Sequence, residues 1–327
     1  MTRIAYVFPG QGAQKVGMGR EWAERSAAAR RTFEEADAAL GEPLTQLCWE
    51  GPEEELGLTA NTQPAILTAS VAVLRGLEEE AAEQGWDVAP AAVAGHSLGE
   101  YSALVAAGAL DFAEAVVLVR RRGELMQRAV PAGVGAMAAI LAMSAEDVAA
   151  VVDAVAAGAA TGADRGEVVA VANYNAPGQT VIAGHAGAVE RACELARERG
   201  ARKATRLDVS APFHSPLMAP AREGMAPHLA AAALADPRVP VVVNADAAPV
   251  TTAEAARDAL VRQIDGPVRW VESVEHMERA MGVGLFLEVG PGTVLTGMIK
   301  RIVGDARTLA VGEPRNLDKL RELLAAG

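Results

Sequence analysis

The sequence predicts an α/β protein on three observations. It is rich in Ala and Val with few aromatics, its apolar strand-like runs end in glycine turns, and a central stretch alternates strand and helix patterns in a fixed order. Hydrophobic residues make up 51% of the 327 and aromatics only 4%. Alanine is the best helix former and valine fills strands buried on both faces, so the mixture favours Ala-faced helices on a buried sheet. Charged residues at 22%, with 32 Gly and 17 Pro, give a globular rather than a disordered balance.

Taken in order, Arg3–Phe8 reads as a short strand, and Pro9-Gly10-Gln11-Gly12 turns the chain sharply out of it. Apolar residues at helical spacing predict a helix from Trp22 to Leu40 and another from Gln63 to Glu83. Val88–Ala94 is a buried strand ending at Gly95, followed by helices over Leu98–Leu110 and Phe112–Val130. From Gly135 the pattern runs strand Ala136–Leu141, helix Ala145–Ala157, strand Glu167–Asn173, strand Gln179–Ala183, helix Ala186–Arg199, strand Lys203–Asp208. That β-α-β-β-α-β order is the ferredoxin-like split motif. Val239–Asn244 and Leu285–Val289 then resume as buried strands of the larger sheet. The expected organisation is a small subdomain at 132–207 inserted in a large α/β domain formed by 1–131 and 208–327.

Several classes are excluded. The formal net charge of -12 disfavours nucleic-acid or anionic-membrane binding, which needs clustered Lys and Arg. No signal-type stretch opens the chain and no apolar run reaches about 18 residues, so a soluble cytoplasmic protein is expected. Cys48 and Cys193 form no CxxC pair and no metal-type spacing, which argues against a disulfide framework or a zinc site. Gly10-Gln11-Gly12 begins like a dinucleotide fingerprint but places Lys15 where the third glycine belongs, and Gly290-Pro291-Gly292 lacks the phosphate-loop lysine. No cofactor or metal is indicated.

Chemistry concentrates at Gly95-His96-Ser97-Leu98-Gly99, a G-x-S-x-G pentapeptide between a strand and a helix. In that context the serine sits on a strained turn with its hydroxyl exposed over the next helix, the geometry of a nucleophile elbow. A plainer reading makes Ser97 a glycine-flanked helix cap. A serine nucleophile needs a base within hydrogen-bond reach. His96 is locked in the turn, and His185, His228 and His276 lie on helices or their edges. His214 stands instead in the proline-braced loop Ser210–Met218 after a strand, where α/β sheets place catalytic groups. Asp208 is the one acidic residue between Ser97 and His214 in an obvious post-strand loop. Arg120, Arg121 and Arg122 cannot all face one side of a helix at 100° per residue, so a solvated basic patch accounts for two while the third points inward.

Six segments, in order, resemble the malonyl-CoA:acyl-carrier-protein transacylase family, which includes freestanding polyketide acyltransferases. They are Phe8–Gln14, Gly95–Ala103, Arg122–Gln127, Asn173–Gln179, Pro212–Met218 and Glu288–Gly292, within a resemblance running from about residue 4 to residue 314. The resemblance implies a hydrolase-like α/β core with a ferredoxin-like insert. It also implies transfer of malonyl from malonyl-CoA to an acyl carrier protein, for fatty-acid or polyketide synthesis. Residue by residue, it makes Ser97 the acylated nucleophile and His214 its base, oriented by the backbone carbonyl of Gln263. Gln11 and Leu98 match the amides of the oxyanion hole, Arg122 the clamp on the malonyl carboxylate, and Phe213 the bulky residue that crowds an α-methyl branch. The same elbow would also suit a serine hydrolase or thioesterase, or an acyltransferase using a substituted malonyl group, but a hydrolase needs no carboxylate clamp. A monomer is expected. An acidic carrier approaching an acidic chain needs a local basic surface, for which Arg202, Lys203, Arg206, Lys300 and Arg301 are the candidates.

Overall fold

The computed structural model describes residues 2–161, 166–209 and 211–325. Its strands are β1 (Arg3–Phe8), β2 (Pro90–Gly95), β3 (Gly135–Leu141), β4 (Val169–Ala176), β5 (Gln179–His185), β6 (Lys203–Arg206), β7 (Val241–Val243), β8 (Ala248–Val250), β9 (Val283–Glu288) and β10 (Arg307–Ala310). The helices are α1 (Arg20–Arg25), α2 (Ala27–Leu40), α3 (Leu44–Glu50), α4 (Glu53–Leu56), α5 (Thr59–Gln84), α6 (Gly99–Ala106), α7 (Phe112–Arg128), α8 (Ala145–Thr161), α9 (Ala186–Glu198), α10 (Ala219–Ala231), α11 (Ala253–Gln263), α12 (Trp270–Arg279), α13 (Val294–Ile302) and α14 (Leu317–Ala325).

The larger sheet has the order β10-β9-β1-β2-β7-β8 and is parallel except at β8. Successive side chains of a strand face opposite sides. Accordingly Ile4, Tyr6 and Phe8 enter the core that holds Trp22 and α5, while Ala5 and Val7 enter a second core around Trp270 and Ile299 on the other face. Burial on both faces explains why β1 reads as an unbroken apolar run. The second sheet is antiparallel with the order β4-β5-β3-β6, and its apolar side packs against α8 and α9.

Two features differ from the sequence reading. The helix expected over Trp22–Leu40 is broken at Ser26, whose backbone is extended (φ -115°) and whose hydroxyl accepts from Ala29 N–H, starting α2 afresh. The short strands β8 and β10 carry no detectable period, and β8 contains Pro249, which only a sheet edge tolerates.

Three devices place the future site at the C-terminal ends of β1, β2 and β7. Gly95 and Gly99 let the turn after β2 close on itself: a Cβ on Gly95 would lie 1.9 Å from the Gly99 carbonyl, and one on Gly99 would lie 2.1 Å from Phe8 O. The small sheet is tied over this edge by Val268 N–H donating to Ala172 O (2.8 Å) and Tyr174 N–H donating to Val268 O (2.9 Å). Arg301 on α13 adds bonds to Gln179 Oε1 (2.6 Å) and Pro177 O (2.8 Å). Finally, the buried Glu288 carboxylate accepts from Leu295 and Thr296 N–H at the start of α13, an anion answering the positive end of that helix.

Because backbone cannot yield at Gly95, Gly95→Ala is expected to lower stability by at least about 1–3 kcal/mol, the cost of overpacking. A urea unfolding midpoint unchanged from wild type would show that the turn relaxes.

Candidate active site

Ser97 occupies the left-handed region at φ 52°, the strained position a nucleophile elbow demands. Its Oγ lies 2.7 Å from His214 Nε2. His214 also has a positive φ, 57°, and its Nδ1 faces two carbonyls, Gln263 O at 2.9 Å and Gly266 O at 3.2 Å. Carbonyls only accept, so Nδ1 carries the proton and Nε2 is the acceptor for the serine hydroxyl. Gln263 is the last residue of α11, and the final carbonyls of a helix have no partner within it. Asp208 is exposed and takes no part; Ser210, where the His214 loop begins, lies outside the described residues.

Of the three arginines, Arg120 pairs with Glu42 (2.8 Å) and Arg121 with Glu124 (2.9 Å). Arg122 turns inward and is 1% exposed. Its Nη1 donates to Gln63 Oε1 (2.8 Å), and its Nη2 donates to Gln263 Oε1 (2.9 Å) and Ser97 Oγ (3.2 Å). Its Nε has no partner, and among the described residues no carboxylate hydrogen-bonds to it. Burial lowers its pKa, yet a guanidinium keeps its proton in proteins. A buried cation held by neutral amides beside a nucleophile is an anion site in waiting.

A cleft of about 220 Å³ opens on these groups. Gln11 and Leu98 line it, and neither main-chain N–H donates to another protein group among the described residues. The Gln11 side chain is occupied elsewhere, Nε2 donating to Thr59 Oγ1. Phe213 forms part of the apolar wall with Met126, Met137 and Val181. His96 is directed away from Ser97: its Nε2 meets Asn175 Oδ1 at 2.8 Å and its ring stands edge-on to Trp270. The structure therefore brings together the seven residues that the resemblance singled out, and leaves Asp208 outside.

It adds two that were not. Gln63 holds Arg122, and Asn244 accepts from Ser97 N–H (2.7 Å) and donates to Gly95 O (2.7 Å). The position of Asn244 at the end of a strand beside the elbow was the available signal, since α/β sheets place functional groups there. Glu100, fully buried behind the elbow, is pushed up to about 7 by desolvation, against the lowering effects of Asn244 N–H, Gln263 and Arg122.

Burial drives the His214 pKa down to about 3, with the Arg122 cation adding to the depression and the two carbonyl contacts opposing it. The ring is thus neutral at every ordinary pH. By linkage, the unfolded chain takes up this proton first as pH falls below about 6.5, so this group's contribution to stability is lost between there and about 3. The reaction of Ser97 with a fluorophosphonate should keep its dependence on neutral His214 satisfied from about pH 8 to about pH 5, with no falling limb near the ordinary histidine value. A limb centred at about 6.5 would contradict the depressed pKa.

Known proteins match the chain over almost its whole length. The acyl transferase domain family matches residues 5–313. The chain is 50% identical to the malonyl CoA-acyl carrier protein transacylase of Escherichia coli over 323 residues, 99% of this chain and 100% of that one. The crystal structure of an acyl carrier protein S-malonyltransferase from Vibrio cholerae superposes with a TM-score of 0.91 at 47% identity, covering 98% of this chain and 100% of that one. A malonyl-transacylase solved in complex with its type II PKS acyl-carrier protein gives 0.91 at 45% identity, covering 98% and 99%. On a match that spans nearly every residue, the chain belongs to the malonyl CoA-acyl carrier protein transacylase family.

Proposed function

We propose that this protein transfers a malonyl group from malonyl-CoA to the phosphopantetheine thiol of an acyl carrier protein, for fatty-acid or polyketide synthesis, through an ester on Ser97. The observation that carries the reading is Arg122, a buried guanidinium with neutral partners placed 3.2 Å from the serine hydroxyl. Malonyl differs from acetyl by a free carboxylate, and a planar guanidinium receives a carboxylate through two parallel N–H···O bonds. Clamping that end sets the thioester carbonyl against Ser97.

The steps follow from the contacts. Ser97 Oγ attacks the thioester carbonyl as His214 Nε2 takes its proton, and the Gln263 carbonyl holds the resulting imidazolium through Nδ1–H. The tetrahedral oxyanion is met by the Leu98 and Gln11 amides. Collapse expels the coenzyme A thiolate, which leaves with the proton from His214. The carrier's thiol then gives its proton to His214 and attacks the acyl-serine, and this second tetrahedral intermediate collapses as His214 returns that proton to Ser97 Oγ, freeing the serine. Phe213 narrows the wall beside the acyl group and disfavours a branched malonyl. Burial of Arg122 and His214 favours transfer over hydrolysis, since both are nearly closed to solvent.

Docking of an acidic carrier falls to the exposed edge strand that carries Lys203 and Arg206, with Arg202 before it and Lys300 on α13. Arg301 is committed to Gln179 and Pro177 and contributes through the joint it makes.

Removing the clamp strands the carboxylate in a dry pocket. Arg122→Ala should cost roughly 2–5 kcal/mol of catalytic efficiency with malonyl-CoA, or about 30-fold to several thousand-fold. Acetyl-CoA, which has no carboxylate to clamp, should lose little. The ratio of malonyl to acetyl transfer in wild type and variant is the measurement. Proportional loss of both would assign Arg122 to the structure instead of to substrate choice.

A further inference from the structure

The parallel ladder between β2 and β7 pairs Val93 with Val241 and Ala94 with Val242. One more regular rung would pair His96 with Asn244: the main-chain N–H of Asn244 would donate to Gly95 O, and its C=O would accept from Ser97 N–H. That rung cannot form in the usual way, because Ser97 has left extended geometry for φ 52°. The side chain of Asn244 forms it instead. Its Nδ2 donates to Gly95 O and its Oδ1 accepts from Ser97 N–H, both at 2.7 Å. The opposite amide orientation would set oxygen against oxygen and N–H against N–H, so the contacts fix it.

The displaced main-chain groups of Asn244 find other partners. Its N–H donates to Glu100 Oε2 at 2.7 Å, and its C=O accepts from Arg269 N–H at 3.2 Å. Both Asn244 and Glu100 are fully buried, where an unmade hydrogen bond has no water to replace it. Gln263 Nε2 completes the hold by donating to Ser97 O at 2.9 Å, so the nucleophile is fixed through its amide and its carbonyl.

We propose that Asn244, kept in register by Glu100, is a positioning residue for the acyl-transfer reaction: its carboxamide replaces a missing sheet rung and sets the strained Ser97 so that Oγ meets His214. The inference rests on the reading of Ser97 as nucleophile. It has a second consequence. The Ser97 N–H is consumed by Asn244 and is withdrawn from the oxyanion hole, which leaves that task to the Leu98 and Gln11 amides. The carboxylate clamp stays with Arg122, so Asn244 governs the rate of acylation and not the hold on malonyl.

The test is single-turnover malonylation, by rapid quench and intact mass, of the full chain with malonyl-CoA at varied concentration. Asn244→Asp keeps the shape but turns an oxygen toward Gly95 O. Its acylation rate should fall by about 100-fold while the concentration for half-maximal rate stays within about threefold, since sub-ångström misplacement acts on the chemical step. Glu100→Gln keeps an acceptor for the Asn244 N–H and should recover most of the rate that Glu100→Ala loses. An Asn244→Asp rate equal to wild type, or a rise confined to the half-maximal concentration, would overturn the proposal. Should Asn244→Asp fail to fold, equal rates for the two Glu100 variants would overturn it alone. Failure of wild type itself to become malonylated would be a different result, removing the acyl-serine reading on which this one stands.

Discussion

The left-handed turn at Ser97 is the constraint from which the rest of this molecule follows. A non-glycine residue at φ 52° is held there only when its surroundings over-determine it. Here they do so from four directions: two glycines allow the backbone to close, Asn244 and Gln263 bond its amide and carbonyl, and β1 accepts His96 N–H at Phe8 O. The hydroxyl that results is pinned between a neutral imidazole and a buried guanidinium.

Gln263 joins three of these requirements in one residue. Its main-chain carbonyl orients His214, its side-chain oxygen holds Arg122, and its side-chain nitrogen holds the Ser97 carbonyl. The base, the cation and the nucleophile therefore share a single hinge at the end of α11. This economy depends on helix ends, where carbonyls lack internal partners and are free for other work. The sheet adds the second half of the framework, because β1, β2 and β7 all deliver their C-terminal turns to the same edge.

Much of this was legible in the sequence, for reasons that can be stated. Ser97 lies in a local pattern whose strand-to-helix context is itself visible, and His214 sits in a loop braced by Pro212 and Pro216. The inward turn of one arginine among Arg120, Arg121 and Arg122 follows from helix geometry alone, whereas its identity as Arg122 came from resemblance. The β-α-β-β-α-β order was readable because its two helices and first three strands are long enough to show their periods, and the four-residue β6 takes its place from that order; the three-residue β8 and four-residue β10 have no such frame. Ser26 hid the break between α1 and α2 because a capping serine interrupts a helix without disturbing its apolar stripe. Gln63 braces a cation about 60 residues away and leaves no local signature, and Asn244 offers only its place at the end of a strand, which does not tell that its carboxamide completes a ladder rung about 150 residues away. Asp208 was an available third catalytic group only because a backbone carbonyl in that role is invisible in sequence.

The central claim is that the strained serine, not another nucleophile of the cleft, carries the acyl group. Peptide mapping of the protein after brief incubation with malonyl-CoA tests it most directly. The account predicts one malonyl group on the peptide containing Ser97, its loss on adding a carrier protein bearing phosphopantetheine, and no label in Ser97→Ala. Malonyl found on another residue of the wild type, or label persisting in Ser97→Ala, would contradict it.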